Sequence, residues 1–97
     1  MAMHNPPHPG EFIREVYLAP YGITGRTLSG NLGVSPSTSN RVLKGESGVR
    51  SEMALRLSRT FGRSPESGLV MQDSYELWRA RQSVNLDAVE KIEFDAA

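Results

Sequence analysis

Residues 23–45, ITGRTLSGNLGVSPSTSNRVLKG, predict two short helices joined by a tight turn. Thr24 is a favourable residue to cap the first of these helices. Gly33 predicts its end, because glycine adopts the left-handed backbone conformation without a steric penalty. The serine before Pro36 can cap the second helix, and the proline then takes the first helical position, where no N–H is needed. The stretch therefore predicts a helix-turn-helix over residues 24–44.

Three further helices are expected around this motif. The segment EFIREVYLA, residues 11–19, has apolar residues at helical spacing and is followed by a proline that stops the helix. Ser51 is the expected cap of a fourth helix, EMALRLSRTF, which ends at Gly62. Ser64 and the proline after it repeat the capping pattern and begin a fifth helix. No convincing strand pattern occurs, so the sequence predicts an all-α fold.

The helical pattern divides the chain into three parts. Residues 1–9 are rich in proline and contain both histidines, His4 and His8, so we expect a flexible N-terminal lead-in. Residues 10–81 form the helical domain. Residues 82–97 are expected to be a short acidic C-terminal arm, which could be a further helical turn or an extended segment.

Length and composition exclude several classes of function. A chain of 97 residues forms one small domain without room for a deep catalytic cleft. The absence of cysteine excludes disulfides, thiolate catalysis and cysteine-based zinc sites. No phosphate-binding loop, dinucleotide fingerprint or metal-ligand spacing occurs. We therefore expect no enzyme activity, no cofactor and no metal. No apolar run could span a membrane, so we expect a soluble cytoplasmic protein without a membrane partner.

The charges are unevenly distributed, although the formal net charge is zero. Residues 1–63 carry eight basic and four acidic side chains, whereas residues 64–97 carry three basic and seven acidic ones. This change from about +4 to about −4 indicates two surfaces with different partners. The alternative is chance clustering on solvated faces.

The second helix of the motif is the expected DNA-reading helix. Its N-terminal residues would approach the base edges in the major groove, so its outer positions should be polar or basic. Arg41 is the strongest candidate, because a guanidinium forms two hydrogen bonds to guanine, while Asn40 could read adenine or contact a phosphate. A solvated surface role is the alternative for each. The predicted base-reading residues are Pro36, Ser37, Asn40 and Arg41.

Phosphate contacts are expected beside the reading helix. The N-terminus of the first motif helix presents free N–H groups, which favour an anion. Such contacts set the register on DNA without reading its sequence. The predicted backbone contacts are Thr24, Arg26, Thr38, Lys44 and Arg50. A single reading helix makes few base contacts, so we expect a symmetric dimer on two half-sites about one turn of DNA apart.

The fifth helix carries more apolar residues than a helix packed on one side needs. Part of this surface could form the self-complementary contact of a two-fold dimer. Trp and Tyr are also frequent anchors of interfaces. The alternative is that all of these residues complete the core of the monomer. The predicted dimer-interface residues are Leu69, Met71, Tyr75 and Trp78.

The residues of the motif and those on both sides of it resemble a known protein family. The stretch TLSGNLGVSPSTSNRVLKGESGVRSEMALRLSRTFGRSPE, residues 27–66, resembles the Xre/Cro-like family of phage-repressor-type domains. HPGEFIREVYLAPYGIT at residues 8–24 and MQDSYELWRA at residues 71–80 are similar to HigA-type antitoxins of bacterial toxin–antitoxin modules. The resemblance covers about residues 8–81.

This resemblance implies a fold and a function. The fold is a five-helix, lambda/434-repressor-like DNA-binding domain. The function is that of a dimeric antitoxin that binds operator DNA in its own promoter and neutralises a small HigB-type ribonuclease toxin. The resemblance implies base-reading positions at Pro36, Ser37 and Arg41, and backbone-contact regions at Thr24 and Lys44.

Three positions depart from the pattern of the family. Ser39 stands where an aliphatic residue usually joins the two motif helices, and Ser29 stands where alanine is usual. Both indicate either a looser motif or hydroxyl bonds to the local backbone. Ser67 and Gly68 replace a bulky aromatic residue, so the fifth helix is expected to pack less closely on the domain at this point.

Two other functions are compatible with the same residues. The first is a stand-alone Xre-type transcriptional repressor without a toxin partner, using the same DNA-reading face. The second is a protein-binding module whose helix-turn-helix has lost DNA binding, which the zero net charge and the unusual serines favour.

Overall fold

A computed structural model describes residues 5–95, in which helices are the regular secondary structure and no strand occurs. The order of elements is α1 (Pro9–Ile13) with a directly following π-helical turn (Arg14–Leu18), α2 (Gly25–Leu32), α3 (Pro36–Leu43), α4 (Ser51–Phe61) and α5 (Pro65–Ser83). The predicted all-α, five-helix fold is confirmed. None of the helices within these residues combines the length and the apolar character needed to cross a lipid bilayer.

Side-chain caps begin three of the helices as predicted. The hydroxyl oxygens of Thr24, Ser35 and Ser64 each accept the backbone N–H three residues on, at 3.1, 3.2 and 3.2 Å. Such a cap stabilises a helix by about 1 kcal/mol. Helix α4 differs, because Arg50 occupies the cap position without a side-chain bond. The predicted cap Ser51 is instead the first helical residue.

Glycines end α2 and α4 in the predicted way. Gly33 and Gly62 have φ of 72° and 76°, in the left-handed region. Beyond Gly33, the N–H of Val34 donates to the carbonyl of Ser29 at 3.1 Å, which closes the C-terminus of α2. Val34 then packs against the core, as the sequence predicts.

Two clusters of buried side chains form the core. The larger cluster joins α1, the π-helical turn, α2 and α3, and consists of Ile13, Leu18, Leu28, Leu32 and Leu43. The smaller cluster joins α3, the loop after it and α4, and consists of Val42, Val49 and Ala54. Leu43 belongs to the larger cluster and Val42 to the smaller one, so α3 packs against both.

Helix α1 lies directly against the backbone of α3. A Cβ atom at Gly10 would overlap the carbonyl oxygen of Val42 and would lie 2.9 Å from the Cα of Leu43. Glycine is therefore required at this position by the close approach of the two helices. This contact accounts for the glycine of the HPGEF segment.

The prediction of a flexible lead-in over residues 1–9 is wrong for the part that the structure describes. Pro6, His8 and Pro9 are buried. The Nδ1 atom of His8 accepts the backbone N–H of Gly10 at 2.9 Å and so caps α1. Proline-rich composition indicated mobility, but a histidine that caps a helix anchors the segment instead. Residues 1–4 lie outside the described part of the chain, and His4 with them.

His8 also links the N-terminus to α5. Its ring packs edge-on against Tyr75, with centroids 4.9 Å apart. Burial lowers the pKa of His8 below its usual value of 6.5, and the nearby carboxylates of Glu76 and Glu11 oppose that shift. The neutral imidazole that caps α1 is thus the form that this environment favours.

The C-terminal arm, defined here as residues 84–95, leaves α5 without forming a helix or a strand. A single turn interrupts it, in which the N–H of Val89 donates to the carbonyl of Leu86 at 2.9 Å. Of the two conformations left open by the sequence, a further helix is absent from residues 84–95, and the arm begins at Val84 with an extended backbone, φ −85° and ψ 128°. The molecule is 58 Å long and 27 by 24 Å across.

Candidate nucleic-acid interface

The turn between α2 and α3 is held by an arginine of α4. Arg56 donates from Nη1 to the carbonyl oxygens of Leu32 and Gly33, at 2.8 and 3.2 Å. Its Nε and Nη2 atoms donate to the carboxylate of Glu52 at 3.1 and 3.0 Å. These contacts satisfy carbonyl groups that the end of a helix leaves without partners. Arg56 thereby fixes the turn that orients α3, a role that sequence reasoning missed because its acceptors lie far away in the chain.

The two unusual serines of the motif are buried between α2 and α3. Ser39 is 1% exposed, and its hydroxyl donates to the carbonyl of Pro36 at 3.2 Å. Ser29 is 3% exposed and donates to the carbonyl of Arg26 at 2.8 Å. Of the two alternatives, the local hydroxyl bonds to the backbone are confirmed. The motif therefore keeps a close contact between its helices without leaving a buried polar atom unpaired.

One side of α3 faces solvent with polar and basic side chains. The exposed residues on it are Pro36, Ser37, Asn40 and Arg41. Within residues 5–95, the side chains of Asn40 and Arg41 form no hydrogen bond, ion pair or ring contact. An exposed guanidinium without a protein partner is available for the two hydrogen bonds that guanine offers in the major groove.

Hydroxyl groups cluster at the N-terminus of α3. The Oγ atom of Ser35 lies 3.2 Å from that of Ser37 and 2.9 Å from Oγ1 of Thr38. The same Ser35 oxygen accepts the backbone N–H of Thr38. Since Ser37 is exposed and Thr38 is half-buried, their hydroxyls lie where a helix N-terminus favours an anion such as phosphate.

The N-terminus of α2 lies beside α3. A Cβ atom at Gly25 would be 3.1 Å from Oδ1 of Asn40, so the first turn of α2 lies against the exposed side of α3. Thr24 and Arg26 flank this point, and both are exposed. The structure therefore brings these two predicted backbone contacts next to Asn40.

The two remaining predicted backbone contacts lie elsewhere. Lys44 is exposed at the end of α3. Arg50 lines a cleft between the α3–α4 loop and α5, where Asp73 and Glu76 also lie. Two carboxylates oppose a phosphate at that position, so the geometry supports Arg50 less than Lys44.

Comparisons with known proteins identify relatives of the chain. No protein-family model matches the chain. Virulence-associated protein I of Dichelobacter nodosus is 43% identical over 82 residues, which cover 81% of this chain and 76% of that protein. The solved structure of the antitoxin GraA in complex with its operator has a TM-score of 0.82 at 33% identity and covers 100% of this chain and 97% of that one. The Pseudomonas aeruginosa antitoxin HigA with the higBA promoter has a TM-score of 0.81 at 32% identity, with coverages of 91% and 96%.

The chain belongs to the HigA family of antitoxins. The resemblance stated from the HPGEF and YELWRA segments is therefore confirmed. The relatives include antitoxins and helix-turn-helix-type transcriptional regulators, which are not enzymes.

The predicted interface residues of this HigA-family chain are partly used within the monomer. Leu69 packs against the smaller core cluster. Tyr75 packs against His8, and Met71 lines an apolar cavity. Trp78 is half-buried near the end of α5. Intramolecular contacts thus account for much of this apolar surface, and the dimer role of the four residues stays a prediction.

The small residues Ser67 and Gly68 line the same apolar cavity, between α1, α4 and α5, which has a volume of about 50 Å³. Helix α5 nevertheless packs on the domain through Gln72, which is 5% exposed. The Oε1 atom of Gln72 accepts the N–H of Val49 at 2.8 Å and so fastens the loop after α3. Sequence reasoning missed Gln72 as a residue that positions this loop. The signal that could have indicated it is a glutamine among the apolar residues of α5.

Proposed function

We propose that this chain is an autoregulating antitoxin. It binds operator DNA as a dimer, represses its own toxin–antitoxin operon and neutralises a ribonuclease toxin by direct contact. The observation that carries the DNA-binding part is the exposed face of α3, where Asn40 and Arg41 have no protein partner among residues 5–95. The solved relatives that share this fold include antitoxins in complex with an operator or a promoter.

In the proposed complex, α3 lies in the major groove. Arg41 reads guanine and Asn40 reads adenine or contacts a phosphate. Thr24 and Arg26 at the start of α2, the hydroxyl of Thr38 and the ammonium group of Lys44 contact the DNA backbone. Arg50 contributes least, since it lies beside the acids of α5. Pro36 and Ser37 at the first turn of α3 complete the surface that faces the bases.

The short length of one α3 supports the proposed dimer. A single α3 of eight residues covers only a few base pairs. Two copies related by a two-fold axis double the contact and read a palindromic operator. The proposed dimer therefore accounts for specificity that a single copy lacks.

The DNA part is tested by fluorescence anisotropy on the promoter fragment upstream of the gene. Replacing Arg41 with alanine should weaken specific binding by about 5- to 150-fold, which corresponds to a loss of about 1–3 kcal/mol. Arg81→Ala is the matched control, since it removes the same charge from an exposed position at the end of α5. Circular dichroism should show unchanged helix content in both variants.

Salt dependence separates base contacts from phosphate contacts. Lys44→Ala should weaken binding to all sequences alike. It should also reduce the slope of log affinity against log salt concentration by about one unit, because one phosphate contact is lost. Wild-type protein that shows no salt-sensitive binding to the promoter would contradict the DNA-binding part. The helix-turn-helix would then belong to a protein-binding module.

The toxin part is supported by the family and by charge. Helix α5 exposes Glu66, Asp73 and Glu76, and a nuclease that binds RNA is expected to be basic. Co-expression with the neighbouring gene should yield a complex that co-purifies and should relieve the growth arrest that the neighbour causes. Replacing the three acids with glutamine should weaken the complex. If no neighbour is toxic or co-purifies, the chain is a stand-alone repressor.

A further inference from the structure

Two basic side chains converge at the end of α3. Arg14 and Lys44 line the same open cleft, between the N-terminal segment, α1 and the last turn of α3. Both are exposed. Within residues 5–95, neither side chain forms a hydrogen bond, an ion pair or a ring contact. The fold thus brings together two cations that have no anionic partner in this part of the chain.

The close approach of α1 to α3 determines where Arg14 lies. Gly10 lies directly against the backbone of Val42 in α3. Arg14 follows Gly10 by four residues and therefore lies on the same side of α1. Its N–H donates to the carbonyl of Gly10, and its own carbonyl accepts the N–H of Ala19 at 2.9 Å. The start of the arginine side chain is therefore fixed on the side of α1 that faces α3.

Lys44 connects this cleft to the exposed side of α3. It follows Asn40 by four residues, so the two residues lie on the same side of the helix. Asn40 is exposed, and the first turn of α2 lies against it. Arg14 therefore continues the row of predicted backbone contacts beyond the end of α3 and onto α1.

We propose that Arg14 contacts a further phosphate of the operator, next to the phosphate that Lys44 contacts. The inference rests on the proposed DNA binding and adds a residue of α1 to its contact surface. A guanidinium can hold a phosphate through two parallel hydrogen bonds. Such a contact adds affinity and fixes the position of the protein on DNA without reading the sequence.

The charges around the cleft favour an anion, although one acid opposes it. Of the residues that line the cleft, Arg14 and Lys44 are basic and Glu11 is acidic. Glu15 and Glu46 are close to these residues in sequence but do not line the cleft. Glu11 is exposed and forms no ion pair with either cation. A phosphate therefore gains the attraction of two unpaired cations, and the Glu11 carboxylate reduces that gain.

The experiment measures binding to the promoter fragment by fluorescence anisotropy at several salt concentrations. Arg14→Gln keeps the aliphatic part of the side chain but removes its charge. It should weaken binding about five- to tenfold at about 0.1 M salt and reduce the slope of log affinity against log salt concentration by about one unit. The double variant Arg14→Gln/Lys44→Ala should reduce the slope by about two units, because two phosphate contacts are lost.

Three further variants separate a phosphate contact from a structural role. Arg14→Lys keeps the charge and should keep the salt slope of wild type, although it loses the paired hydrogen bonds. Glu11→Gln removes the opposing carboxylate and should tighten binding about two- to fivefold at low salt. Arg81→Ala removes an exposed arginine from the last turn of α5 and should bind like wild type. Circular dichroism should show unchanged helix content in all variants.

The outcomes separate this inference from the proposed function. If wild type shows salt-sensitive binding and Arg14→Gln has the same slope, Arg14 contacts no phosphate, while the proposed DNA binding stands. Equal losses of affinity in Arg14→Gln and Arg14→Lys, with unchanged slopes, would show a structural role and also overturn the inference. If wild type shows no salt-sensitive binding, the proposed DNA binding is wrong and the inference fails with it.

Discussion

Replacing Arg56 with alanine should destabilise the fold at the turn of the helix-turn-helix. The largest loss is the hydrogen bond from Arg56 to the carbonyl of Leu32, at 2.8 Å. Because Leu32 is only 4% exposed, a water molecule cannot easily take the place of the guanidinium as donor. A hydrogen bond from a charged group contributes about 1.5–3 kcal/mol. Gly33 is exposed, so water replaces its bond. The ion pair with Glu52 contributes about 0.3–0.5 kcal/mol, because the Glu52 carboxylate is 80% exposed.

The sum is a loss of about 2–3 kcal/mol in the free energy of unfolding. Urea unfolding followed by circular dichroism measures it, with an unchanged slope expected because the fold is retained. For a domain of this size the melting temperature should fall by about 10–20 °C. Glu52→Gln is the matched control, which removes the ion pair but keeps both carbonyl contacts. It should cost less than about 0.5 kcal/mol.

Equal losses in Arg56→Ala and Glu52→Gln would refute this reasoning. They would mean that the ion pair, and not the carbonyl of Leu32, accounts for the contribution of the arginine.

Two further predictions concern the contacts of α1. Gly10→Ala should destabilise the protein by about 2–3 kcal/mol, because the added Cβ meets the backbone carbonyl of Val42. Gly30 is an exposed position of α2 with open space around it, so Gly30→Ala should instead stabilise the protein by about 0.5–1 kcal/mol. Chemical unfolding of both variants measures the two changes in free energy, which should have opposite signs. The lowered pKa of His8 means that the folded state binds its proton less tightly than the unfolded chain. The neutral His8 therefore contributes to the free energy of unfolding. This contribution is fully present above pH about 6.5 and is lost as the pH falls through the lowered pKa. Wild type should therefore lose more stability than His8→Asn, which keeps a capping acceptor, when urea midpoints are compared at about pH 7.5 and about pH 5.5; equal losses would show that His8 does not titrate in this way.

Local sequence was sufficient for the helix-turn-helix. Thr24, Gly33 and Ser35 act on backbone groups within a few residues of themselves, so their roles follow from residue type and position. The exposed side of α3 was likewise predictable, since helical periodicity places Arg41 away from Val42. The reading of DNA by these side chains stays a prediction.

The capping of α1 could not be predicted in the same way. The residues before α1 resemble a mobile segment in composition, yet His8 is buried against Tyr75, 67 residues later in the chain. Only the packing of α1 against α5 brings the two rings together. The prediction of a flexible lead-in failed because composition describes only the segment itself, whereas burial depends on the distant residues against which the segment packs.

The sequence alone determined the order of the helices and the boundaries of the motif, because helix caps and helical periodicity act between near neighbours in the chain. Its resemblance to HigA-type antitoxins indicated the family. The tertiary structure decided what holds the motif in position. Arg56 reaches the carbonyl of Leu32 across 24 residues, and Gln72 reaches the N–H of Val49 across 23. It also decided that Leu69 faces the core while Val70 and Leu77 face solvent. These are long-range contacts, and no local propensity encodes which distant atoms a side chain will meet.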